Sequence, residues 1–137
     1  MSFGNAPMAN PPLILCVDDD KDYCDILSAK LTAKGFAVKN ATNGDDGIAL
    51  AKKHNPALIL MDVQMPNKDG IATTMDLKQD PHTKDIKVIF VTSLGDSWPS
   101  VTEVNRRLAQ QIGAHDYFKK GGDLDALVEK IRQALAE

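Results

Sequence analysis

In this 137-residue sequence, the residues best suited to chemistry stand where short apolar runs stop. Leu13-Ile14-Leu15-Cys16-Val17 runs into Asp18, Asp19 and Asp20, and Ala57-Leu58-Ile59-Leu60-Met61 runs into Asp62. Val88-Ile89-Phe90-Val91 ends at Thr92-Ser93, and the run at His115 to Phe118 ends at Lys119-Lys120. If the runs are parallel strands of one sheet, their carboxyl ends share a crevice, which gathers Asp18, Asp19, Asp62, Thr92 and Lys120. Carboxylates that close raise one another's pKa unless a cation intervenes. Hard oxygen ligands in small number, with waters completing an octahedron, suit Mg2+ better than zinc or copper. Beside such an ion, an ammonium and a hydroxyl can hold the equatorial oxygens of a phosphoryl group while a carboxylate attacks phosphorus in line. Any one of these residues alone is an ordinary helix cap or strand end. Their recurrence at successive strand ends carries the inference.

The elements that must position them follow from the hydrophobic periodicity. Asp22 to Lys34 places Tyr23, Leu27 and Leu31 on one helical face and closes at Gly35; Phe36 to Lys39 reads as a short strand. Asn43-Gly44 turns the chain into a helix over Asp45 to His54, ended by Asn55-Pro56. Pro66 and Asp69-Gly70 lead into a helix at Ile71 to Gln79, which Asp80-Pro81 breaks. Leu94 to Ser100 reads as a loop, and Val101, Val104, Leu108 and Ile112 mark a helix closed by Gly113. After Gly121-Gly122, Leu124, Leu127, Val128, Ile131 and Leu135 line a terminal helix. Five strand-then-helix units predict an α/β domain with a doubly wound five-stranded parallel sheet and five helices, spanning 13–137 behind a flexible tail at 1–12.

Composition narrows the function classes. A hydrophobic fraction of 43% with 26% charged residues is globular, and a net charge of −3 gives no basic field for nucleic acid. No apolar run has the length of a membrane span and the first dozen residues lack the basic-then-apolar layout of a signal peptide, so the expected location is cytoplasmic, with no membrane partner. Cys16 and Cys24 are too few for a disulfide scaffold. His54, His82 and His115 have no partner spacing, and Lys52-Lys53 and Arg106-Arg107 read as solvated helix faces.

The order and spacing of Val17-Asp18-Asp19-Asp20, Met61-Asp62-Val63-Gln64-Met65-Pro66, Asp69-Gly70, Val91-Thr92-Ser93, Gly113-Ala114 and Asp116-Tyr117 with Lys120 resemble a receiver domain of two-component response regulators, over about Leu13 to Leu135. The resemblance implies a flavodoxin-like strand order 2-1-3-4-5. It implies that Asp62 is the phosphoacceptor, taking a phosphoryl group from a phosphohistidine on a sensor histidine kinase or histidine phosphotransfer protein. By the same resemblance Asp18, Asp19, Asp62 and the backbone carbonyl of Gln64 serve Mg2+, with Asp18 acting through water. Thr92 and Lys120 contact the phosphoryl group, and Tyr117 changes rotamer when Thr92 is drawn in. Output is expected through contact with a downstream protein, as a switch or a phosphorelay shuttle, without turnover of a separate substrate.

Two departures stand out. Gly121 follows Lys120 where the family usually has proline, so the lysine loop is expected to be looser, and the doublet leaves Lys119 as the alternative lysine. An aromatic three residues earlier, Tyr117, favours Lys120. The chain from Thr92 to Lys120 is also longer than the family norm, with the surplus in Leu94 to Ser100, where Trp98-Pro99 is a candidate partner contact. Two further readings compete. A haloacid-dehalogenase-like phosphatase would use Asp18 as nucleophile with Asp20, Thr92 or Ser93, and Lys120, but leaves Asp62 unexplained. A pseudo-receiver would bind a partner without phosphorylation, although every phosphorylation residue is present. An EF-hand start at Asp18, Asp20 and Asp22 fails at Tyr23 and Ala29, which replace the glycine and the bidentate glutamate.

Overall fold

A computed structural model of the chain describes residues 10–93, 107 and 109–137. The elements run β1 (Leu13–Val17), α1 (Lys21–Ala33), β2 (Ala37–Ala41), α2 (Gly44–His54), β3 (Leu58–Asp62), α3 (Gly70–Gln79) and β4 (Lys87–Thr92). They continue through helical residues 109–112, which we label α4, to β5 (Asp116–Lys119) and α5 (Leu124–Ala136). All pairings are parallel, in the order β2-β1-β3-β4-β5. The first unit folds β2 to one side of β1 and every later strand adds on the other, which opens a crevice at the carboxyl ends of β1 and β3. Most of the expected tail, up to Ala9, lies outside the described residues. So do Leu94 to Ser100 with Trp98-Pro99, and most of the expected helix from Val101.

Strand alternation divides the core into two layers. Leu15, Val17, Ile59, Met61, Val88 and Phe90 point to one face, where α2, α3 and α4 contribute Ala51, Leu77 and Ala109. Ile14, Cys16, Leu58, Leu60, Ile89 and Val91 point to the other, covered by Leu27 and Leu31 of α1 and by Leu127 and Ile131 of α5. The three central strands are apolar on both faces because both faces are covered. Helix starts are fixed by side-chain caps: Asp20, Asn43, Asp69 and Asp123 accept from the backbone N–H of Tyr23, Asp46, Ala72 and Asp125. Asn55 closes α2 in the left-handed region at φ 47°.

Two boundary differences bear on the site. The second strand begins after the buried Phe36 and runs on to Ala41, because Leu13 to Val17 pair with Ala37 to Ala41. Asp62 and Thr92 are not outside their strands but are the last rungs of them, paired with Val91 and Lys119. The ladder therefore fixes the backbone of both residues.

Candidate functional site

The ends of β1, β3 and β5 converge. Asp18 and Asp62 are 3% and 2% exposed, whereas Asp19 is open to solvent. One carboxylate oxygen from each of Asp18, Asp19 and Asp62 lies within 4.8 Å of the others. Lys120 reaches over them: its Nζ is 2.8 Å from Asp18 Oδ2 and 3.6 Å from Asp62 Oδ2. Thr92 is buried at the end of β4, and its carbonyl accepts the backbone N–H of Lys120 at 2.9 Å, which ties the lysine to the neighbouring strand.

Local backbone bonds hold the acids in place. The N–H of Asp18 donates to Ala41 O at 3.0 Å, and the N–H of Asp20 donates to Asp18 Oδ1 at 2.8 Å. Below Asp62, Val63 N–H donates to Val91 O at 3.2 Å, and Gln64 N–H donates to Asp62 Oδ1 at 3.3 Å. Gly70 N–H then returns to Val63 O at 2.9 Å, bringing the start of α3 against the Asp62 carbonyl. A Cβ on Gly70 would lie 2.0 Å from that carbonyl oxygen. The glycine of Asp69-Gly70, expected only as a turn residue, is required by this close approach.

Burial, the charge of Asp18 and hydrogen bonding with Asp18 and Asp19 push the Asp62 carboxyl up to about 7, against the opposing pull of Lys120. Burial works against the charge on Lys120, but its hydrogen bond to Asp18 and the charges of Asp62, Asp18 and Asp20 outweigh that and move it upward. The cluster therefore carries more negative charge than one ammonium neutralises, and its hard oxygen donors suit a small divalent cation such as Mg2+.

Strand parity accounts for which residues meet. Asp18 follows Cys16, Asp62 follows Leu60 and Lys120 follows Phe118 by two positions, so all three continue the layer beneath α1 and α5. Lys119 is exposed and shares the parity of Tyr117, so it is not among the groups gathered at the acids. Tyr117 is half-buried in the other layer and pairs with Phe90, two rungs below the Thr92–Lys119 pair. Lys130 from α5 lies 5.8 Å from the Tyr117 ring centre and 3.0 Å from Asp116 Oδ2. Gly121 adopts φ 86° with open space around it, so the chain after Lys120 is unpacked at that point.

Two residues at the site escaped the sequence reading. The Lys120 ammonium lies 5.0 Å from the ring centre of Tyr23, in the first turn of α1. The Cys24 thiol donates to the Asp18 carbonyl at 3.6 Å. The parity that points Asp18 toward α1 is the signal that could have found both.

Comparison with known proteins accords with this geometry. Residues 14–132 match the response regulator receiver domain family. The chain is 37% identical over 123 residues to protein PilH of Pseudomonas aeruginosa, covering 90% of this chain and 97% of PilH. It is 33% identical over 124 residues to RpaA of Synechocystis, a DNA-binding dual master transcriptional regulator, covering 90% of this chain but only 49% of RpaA. Among solved structures, a putative response regulator from Chloroflexus aurantiacus superposes with a TM-score of 0.81 at 26% identity, covering 93% of this chain and 100% of that one. The Francisella response regulator 1452 receiver domain gives a TM-score of 0.78 at 26% identity, over 91% and 97% of the two chains. By sequence, strand order and these relatives, the chain belongs to the receiver domains of two-component response regulators, which are phosphorylation-dependent signalling modules.

Proposed function

We propose that the chain receives a phosphoryl group on Asp62 from a phosphohistidine of a partner histidine kinase or phosphotransfer protein, in a Mg2+-dependent reaction, and passes the signal on by protein contact. The observation that carries this reading is the burial of Asp62 within 4.8 Å of two further carboxylates, with Lys120 Nζ at 3.6 Å. A carboxylate oxygen of Asp62 attacks phosphorus as the bond from phosphorus to the donor's imidazole nitrogen breaks; with the ring protonated on its other nitrogen, this gives an acyl phosphate and a neutral histidine. Asp19, Asp62 and the Gln64 carbonyl would hold the ion, with Asp18 close by through water. The ion supplies positive charge where the carboxylates and phosphoryl oxygens would otherwise repel.

Lys120 and Thr92 are assigned to the phosphoryl oxygens, the first by charge and the second by its hydroxyl. If Thr92 moves toward the phosphoryl group, Tyr117, in the same layer two rungs back, gains room to change rotamer, and the surface formed by α4, β5 and α5 changes with it. The haloacid-dehalogenase-like alternative gives no role to Asp62, the buried carboxylate within 4.8 Å of the other two acids. No helix among the described residues is long and apolar enough to cross a membrane.

Intact-mass measurement after incubation with acetyl phosphate tests the assignment. Native protein should gain the mass of one phosphoryl group with Mg2+ and none with a chelator, and Asp62→Asn should gain none. Labelling that survives either change would remove Asp62 from this role.

A further inference from the structure

Lys120 presents a positioning problem. Lysine is a point charge on a flexible four-carbon stem, and the chain beyond this one turns through an unpacked Gly121. The Lys120 N–H is held by Thr92 O at 2.9 Å, and the Gly122 N–H closes the turn onto Lys119 O at 3.1 Å, but neither bond fixes the side chain. The ammonium nevertheless sits in a defined place, with the acids on one side and the face of Tyr23 on another. Its 5.0 Å distance from the ring centre is within the range of a cation–π contact.

Tyr23 is fixed to the same acids that it faces across the lysine. Its N–H donates to Asp20 Oδ1 at 3.2 Å, and the Asp20 N–H donates to Asp18 Oδ1 at 2.8 Å. Ring, cap and acid are thus one unit at the start of α1. The Tyr23 hydroxyl, in contrast, is buried and meets no hydrogen-bond partner among the described residues. It is the ring face, and not the polar tip, that meets the lysine. Burial and the charges around it, Asp18 first among them, push the phenol up to about 12, so Tyr23 offers the lysine a neutral ring and not an anion.

We propose that Tyr23 is a positioning residue for Lys120: its ring face holds the ammonium against Asp18 and Asp62, ready to turn onto the phosphoryl group. The proposal deepens the assignment of Asp62 as phosphoacceptor and rests on it. A ring attracts a cation without imposing a fixed hydrogen-bond direction, so the ammonium can pivot from Asp18 toward Asp62 without leaving its support.

The test is a double-mutant cycle on the rate of Asp62 labelling by acetyl phosphate in Mg2+, with an NMR readout on unlabelled protein. Tyr23→Leu should slow labelling about five- to tenfold when Lys120 is present, the range expected for a cation–π contact between the exposed and fully desolvated limits, and less than about twofold in Lys120→Ala. Tyr23→Phe, which keeps the ring, should label within about twofold of native. In native protein without Mg2+ or donor, the Lys120 ε-methylene protons should be shifted upfield by the ring, and the shift should persist in Tyr23→Phe. Equal slowing by Tyr23→Leu in both backgrounds would mean that the ring only supports the fold, and would overturn the proposal. So would an unshifted Lys120 resonance, which also decides the matter if the leucine variant does not fold. Failure of native protein to label, with the ring shift present, would instead remove the phosphoacceptor assignment and leave the contact between Tyr23 and Lys120 without a phosphoryl group to serve.

Discussion

Replacing Asp62 with asparagine should stabilise the metal-free fold, and the gain should grow with pH. Asp62 is 2% exposed, and its carboxyl is raised from 3.8 to about 7 by burial, Asp18 and its hydrogen bonds to Asp18 and Asp19. Because the folded value lies above the unfolded one, the unfolded chain ionises first. The penalty is absent well below pH 4, accumulates between about 4 and 7, and is complete above 7. A displacement of roughly 3 units at 1.36 kcal/mol each gives about 4 kcal/mol, and solvent reaching the cluster beside Asp19 reduces that to about 2 kcal/mol. Asparagine keeps the shape without the charge and leaves Lys120 paired with Asp18 at 2.8 Å. For a domain of this size the difference corresponds to about 6–10 °C in Tm at pH 8, shrinking to about 1 °C at pH 4. Thermal unfolding followed by circular dichroism in EDTA, native against Asp62→Asn, measures it directly. Parallel pH profiles for the two proteins, or a less stable asparagine variant at pH 8, would refute the account of the acid cluster as electrostatically strained.

Lys120→Ala should slow labelling of Asp62 by acetyl phosphate more than about tenfold while Lys119→Ala changes it less than about twofold, since only Lys120 reaches the acids. The reverse order in the same mass assay would exchange the roles of the two lysines. Gly70→Ala should destabilise the domain by about 2–4 kcal/mol in urea unfolding, because its Cβ would meet the Asp62 carbonyl oxygen at 2.0 Å. A near-neutral effect would show that α3 can move off β3 without strain.

The parts of the fold that were legible in the sequence are those where one physical requirement acts alone. Unbroken apolar runs such as Leu58 to Met61 fit a strand covered on both faces, and the turn pairs Asn43-Gly44 and Asp69-Gly70 mark where helices follow, although the capping roles of Asp20, Asn43 and Asp69 show only in the structure. The second strand was harder. Its residues Lys39 and Asn40 are exposed, so pairing with β1, not hydrophobicity, defines its limits. The strand-end acids and Lys120 could be singled out by residue type, but their distances depend on the sheet. Tyr23 and Gly70 needed the tertiary structure: the aromatic reads equally well as a core residue, and the glycine as a turn. Only the approach of α1 and α3 to the strand ends separates those uses.

The strand order has a consequence for how copies of the chain behave toward one another. In an open five-stranded sheet, β2 and β5 are the edge strands, each joined to the ladder on one side. Each of them carries an exposed lysine, Lys39 in β2 and Lys119 in β5. The uncharged apolar segments Leu13 to Val17 and Leu58 to Met61 sit inside, out of reach. Addition of a second molecule to either edge would have to desolvate these lysines, so the apolar sequences that could template cross-β growth are enclosed by strands less suited to it.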